Sequence, residues 1–121
     1  MATAAGLTER AKSLGLPITK NAFTGTVDEP VPPLPYMVYL MPREETAGAD
    51  DMPNALVAED WQLELYTVAD DEAADEIRAE IENKVLHDVD YAKFVAYIDS
   101  EECFQTAYEV TGLLRKARKQ G

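Results

Sequence analysis

The sequence predicts a two-layer α+β domain, with helices packed on one face of an antiparallel or mixed four-stranded sheet. Three observations predict it. Residues 36–41, 61–66, 91–98 and 103–110 have the composition or the alternation of strands. Residues 7–14 and 72–86 space their apolar side chains as helices do. The chain has 121 residues, enough for one hydrophobic core and too few for two, so residues 1–121 read as a single domain.

At the start, Leu7, Ala11 and Leu14 stand at i, i+4 and i+7 and Gly15 follows, the pattern of a short amphipathic helix within residues 1–15 that stops near residue 14. Pro17 bars its continuation. Residues 28–35 hold Pro30, Pro32, Pro33 and Pro35 and read as an extended connector with few backbone donors. The run YMVYLM at 36–41 is aromatic and β-branched, short enough for a strand covered on both faces, and Pro42 ends it. Residues 44–56 (EETAGADDMPNAL) are acidic and broken by Gly48 and Pro53, which predicts a long loop or hairpin arm rather than a packed element.

Beyond the arm, Trp61, Leu63 and Leu65 alternate with Gln62, Glu64 and Tyr66, a strand with one buried and one wet face. Asp70 and Asp71 offer N-cap oxygens to a helix running to about residue 86, and Glu72, Asp75 and Glu76 complement its positive end. Its apolar stripe of Ala74, Ile77, Ile81 and Val85 should lie on the sheet, and Glu80 and Lys84 form a favourable i, i+4 pair. The last two runs are separated by Asp99, Ser100, Glu101 and Glu102, a spacing that suits an antiparallel hairpin. Phe104, Thr106, Tyr108 and Val110 share one face of the second run, and Phe94, Ala96 and Ile98 share one face of the first.

Charge excludes several classes of function. The net charge is −12, and residues 44–82 hold fourteen acidic residues against Arg78 alone. Such a surface repels nucleic acid, whose binding draws on Lys and Arg to neutralise phosphates. The end inverts the sign: Arg115, Lys116, Arg118 and Lys119 make residues 115–121 a basic tail, read as a frayed helix end or a disordered tip. No apolar run approaches the ~18 residues of a membrane span, and Glu9, Arg10 and Lys12 stand where a signal peptide is apolar, so cytosolic synthesis is expected. Cys103 and His87 are the only cysteine and histidine, which rules out an internal disulfide and a Cys/His zinc cage from one chain.

The same inventory predicts no enzyme, no cofactor and no metal. Cys103 with His87 as base is the sole thiol arrangement available, and a lone strand cysteine reads as a small buried hydrophobe. The pairs Asp50/Asp51 and Asp70/Asp71 offer oxygens without the spacing of an EF-hand loop, and no phosphate-cradling glycine loop is present. The six tyrosines lie mostly in strand runs with no basic groove around them, so base stacking is not expected.

One resemblance adds a role. The ordered set Leu16-Pro17-Ile18, Pro35-Tyr36-Met37-Val38-Tyr39, Ala49-Asp50-Asp51, Leu63-Glu64-Leu65-Tyr66-Thr67, Tyr97-Ile98-Asp99-Ser100-Glu101 and Tyr108-Glu109-Val110 resembles the small tail terminator and tail-completion proteins of siphophages and related prophages. It spans roughly residues 16–110, while the proline-rich segment 28–35 and the basic end after Leu114 depart from the pattern. The resemblance implies an α+β subunit of a hexameric ring at the head-proximal end of the virion tail, assembled in the host cytoplasm. Its implied partners are the major tail tube protein and a head-closure or connector protein, with DNA passing through the lumen without specific binding.

An acidic lumen would let DNA pass without sticking. On that ground Glu44, Glu45, Asp50, Asp51, Glu59 and Asp60 are candidate lumen or interface residues, with the start of the following helix as the other acidic surface. The 44–56 segment is expected to touch the tube or a neighbouring subunit, since loops adapt to the heterologous contacts of a ring. Two other readings stay open: a head-closure or tail-completion connector built on the same architecture, and a small acidic regulatory or inhibitor protein that binds a basic factor.

Overall fold

A computed structural model of the chain describes residues 2–23, 25, 30–47 and 56–116. Helix α1 (Ala4–Lys12) opens at Thr3, whose hydroxyl accepts the Gly6 N–H at 3.1 Å, and buries Ala4, Leu7, Thr8 and Ala11. Helix α2 (Glu72–Glu80) is capped as the sequence predicts: the Asp71 carboxylate accepts the Ala74 N–H at 3.0 Å. It continues through one π turn (Ile81–Val85), so the helical run ends beside residue 86.

Six strands form one sheet: β1 (Ile18–Lys20), β2 (Tyr36–Leu40), β3 (Glu44–Ala47), β4 (Leu56–Thr67), β5 (Ala92–Ile98) and β6 (Cys103–Lys116). Their order is β1-β2-β4-β6-β5, with β3 beside β4 on the same flank as β2. Only β1 and β2 run parallel, so the sheet is mixed. Strand β4 is its axis: alternate residues from Val57 to Thr67 are buried, and Trp61, Leu63 and Leu65 carry the centre of the core.

Both helices lie on the face shared by Met37, Trp61, Leu63, Leu65, Tyr108 and Val110, which together with Leu7, Ile81 and Val85 form a single cluster. Each fully buried leucine there contributes ~2 kcal/mol of apolar transfer. Two buried polar contacts fix the helices on that face. The Trp61 indole donates to the Thr8 hydroxyl at 3.0 Å, and Arg78 Nε donates to the Thr106 hydroxyl at 2.9 Å. On the opposite face, Phe23 stands edge-on to Tyr36 at 5.1 Å, and Val38 and Cys103 are buried.

A bulge divides the sheet into a body and an arm. Register shifts where Asp60 of β4 meets Thr111 and Gly112 of β6, and Gly112 adopts φ +70°. The Asp60 carboxylate accepts the Gly112 N–H at 3.0 Å and holds the bulge shut. On one side of it β4 pairs with β2 and on the other with β3.

The two-layer α+β class is as expected, with two differences in detail. The sheet has six strands rather than four, because β1 is too short to show a period and β3 (EETA) has none. The 44–56 segment is the hairpin arm of the two alternatives, with paired strands as its legs: Glu44–Ala47 pairs with Leu56–Glu59, while residues 48–55, Asp50 and Asp51 among them, lie outside the described residues. The basic end is neither a helix end nor wholly a tail, since Arg115 and Lys116 are rungs of β6 facing Val57 and Leu56. Residues 28–29 of the connector and 117–121 lie outside the described residues.

Candidate functional site

Among the described residues, the acidic candidates of the arm are all paired with arginines, while Asp50 and Asp51 lie outside the described residues. Arg115 reaches across three strands: its Nε contacts the Glu59 carboxylate, and its Nη2 donates to Glu44 at 2.8 Å. Glu59 is buried at 4% exposure, and its hydrogen bond from Arg115, with Glu44 adding to the field, raises the guanidinium pKa. Arg43 plays the same part at the hairpin root, contacting Glu45 and lying 3.8 Å from Asp60. Four of the six named acids are thus held by two arginines: Arg115 ties the three strands of the arm to one another, and Arg43 reaches the bulge at its root.

A fuller uncompensated acidic surface lies at the start of α2. Glu72 and Glu76 are exposed and, among the described residues, have no cationic partner, while Asp75 pairs with Arg78 and Glu80 with Lys84. Arg78 itself is buried beneath this face. Its Nη1 donates to Asp75 at 2.8 Å, and its Nη2 lies 2.7 Å from Asp70 but off the hydrogen-bond direction, so that nitrogen has an electrostatic partner only.

At the other flank Glu82 gathers three donors: Lys93 at 2.7 Å, the Tyr108 hydroxyl at 2.8 Å and the Tyr91 hydroxyl at 3.2 Å. Partial burial works against its charge, and the hydrogen bonds from Lys93 and the tyrosines win, holding the carboxyl below its ordinary value. Burial first, and Glu82 second, push the Tyr108 hydroxyl well above its ordinary value. The cluster fastens β5 to the π turn after α2.

The thiol is placed where it does no chemistry of the papain kind. Cys103 is 2% exposed, and burial, reinforced by Glu101, raises its pKa, the reverse of an activated nucleophile. His87 is exposed beyond the π turn. Among the described residues no three His, Cys, Asp or Glu side chains converge to hold a metal ion. A shallow hollow of about 180 Å³ beside Phe23, Tyr36, Tyr66 and Glu101 brings one carboxylate to three aromatic rings and no acid–base pair.

What the surface does carry, among the described residues, is a strand with one open edge. β5 pairs with β6 along its whole length, ends the sheet on that flank, and is exposed at every position from Ala92 to Tyr97. Phe94 is 54% exposed on the helix-free face, while Val95 and Tyr97 are 46% and 51% exposed on the helix side, where α1 and α2 do not reach. The sequence reading placed this strand and its turn, and missed its exposure; alternation shows which residues share a face but not whether a second layer covers it.

Neither a family model nor a characterised protein matches the sequence. Among solved structures, a chain described as part of the virion of a native gene transfer agent (GTA) particle superposes on this one. The TM-score is 0.51, at 16% sequence identity, over 93% of this chain and 95% of that chain. What the two chains share is the fold. The correspondence covers most of both chains.

Proposed function

We propose that this protein is a structural, non-catalytic subunit of a phage-like particle, acting as a tail terminator. In this reading it forms a ring, hexameric by the family resemblance, that caps the tail tube at its head-proximal end and joins it to the head connector. The observation that carries the reading is the nearly end-to-end likeness of fold to a chain of a virion particle. The resemblance of its motifs to tail terminators supplies the finer role, and the absence of a metal-binding cluster among the described residues is compatible with it.

The hairpin arm is the contact element in this account. Arg115 braces the strands of the arm against one another and Arg43 braces its root, so the arm offers a stiff base for contact with the tube or the next subunit. With the arm acids engaged, the start of α2, bearing Glu72 and Glu76, is the acidic face turned to passing DNA. Replacing residues 48–55 by an Asn-Gly turn keeps β3 and β4 paired and removes the tip. The shortened chain is expected to remain folded yet fail to cap tail tubes in electron micrographs; capped tubes of normal length contradict the arm's role. Charge reversal at Glu72 and Glu76 is expected to slow DNA ejection, and the same reversal at Asp50 and Asp51 tests the arm as the lumen side.

A further inference from the structure

We infer that β5 is the docking edge for a second copy of this chain, paired antiparallel about a two-fold axis through Val95. Three observations lead there. Among the described residues the strand has hydrogen-bonded neighbours on one side only, so its other edge offers backbone donors and acceptors, the arrangement that templates strand addition. Both of its faces are uncovered, with Phe94, Val95 and Tyr97 about half exposed, which an isolated subunit ordinarily avoids on an edge. Its sequence, AKFVAYI, is also complementary to itself when reversed.

In that register each residue meets a fitting partner. Val95 faces Val95, Phe94 faces Ala96, and Ala92 faces Ile98, so large side chains oppose small ones on the helix-free face. Lys93 faces Tyr97, setting a cation beside an aromatic ring as it already lies 5.8 Å from the Tyr108 ring within its own subunit. No like charges are placed opposite one another. On a chain of net charge −12, β5 is a strand with no acidic residue and one lysine, so two copies can approach here without the repulsion their acidic faces impose. A contact of this kind is isologous and distinct from the heterologous contacts of a ring, and it does not depend on the tail role proposed above.

The test uses the full chain. Sedimentation equilibrium is expected to show a concentration-dependent species of twice 13.4 kDa, and Val95→Asp, which sets two carboxylates face to face at an exposed position, is expected to abolish it. A species of 13.4 kDa at every concentration, or an oligomer untouched by Val95→Asp, overturns the inference. Cysteine crosslinking reads the register without relying on that variant. In a Cys103→Ala background, Val95→Cys brings two thiols to a directly opposed pair, ~4.5–5.5 Å between Cα atoms and within disulfide reach. Phe94→Cys leaves its two copies diagonal and out of reach. Oxidation is expected to link the first and not the second; equal linkage of both, or of neither, overturns the two-fold pairing whatever the particle's morphology shows.

Discussion

Arg78 keeps its charge under the core because three groups meet it: the Thr106 hydroxyl at 2.9 Å, Asp75 at 2.8 Å and Asp70 at 2.7 Å. Both carboxylates are substantially exposed, so the pairs are partly screened and the cost of losing them is below that of a fully buried pair. Arg78→Ala is expected to destabilise by about 2 kcal/mol through the unpartnered Thr106 hydroxyl and the lost packing of the arginine stem, read as a lower urea midpoint. Glu82 has a pH signature. Its folded pKa lies below its ordinary value of 4.5, so its contribution is complete above that value and is lost as pH falls through the folded one. Urea unfolding of the native chain and Glu82→Gln is therefore expected to differ most at neutral pH and to converge in acid; a pH-independent gap contradicts the ion cluster. The sequence allowed the Asp71 cap and the Glu80–Lys84 pair to be read, because those partners lie three or four residues apart. It hid the contacts of Arg78 with Thr106, of Arg43 with Asp60 and of Arg115 with Glu59, whose partners are brought together from distant parts of the chain.

The bulge at Gly112 is what makes one long strand pair serve as both body and arm. Its φ of +70° is open to glycine and costly for other residues, although nothing crowds a Cβ there. Gly112→Ala is expected to cost about 1 kcal/mol in global stability and to loosen the arm first. Hydrogen exchange should show faster exchange at Val57 and Leu113 while Leu63 and Tyr108 keep their protection. Uniform loss across the sheet contradicts a hinge at the bulge. Composition made β2 legible, alternation made the second half of β4, β5 and the first half of β6 legible, and capping made α2 legible. β3 was illegible because an acidic EETA segment has no strand preference of its own; it is held by β4, which β6 supports from the other side. The continuation of β6 through Arg115 and Lys116 was hidden for the same reason, since charge at a chain end reads as a tail until a partner strand is seen beside it.

At the scale of the molecule, two nine-residue helices cover β4 and its neighbours and leave β5 bare. A net charge of −12, two arginines bracing the arm, and an apolar edge strand are the features on which the proposed assembly rests. The α+β class followed from periodicity. The proposed role draws on motif resemblance and on likeness of fold, since neither charge nor period can say what a surface is built to touch. Tail length in electron micrographs, after disruption of this gene in the genome that encodes it, tests the central claim most directly. A terminator predicts over-long tubes without heads, because growth runs on when the cap is missing. Intact particles with tails of normal length would contradict the account.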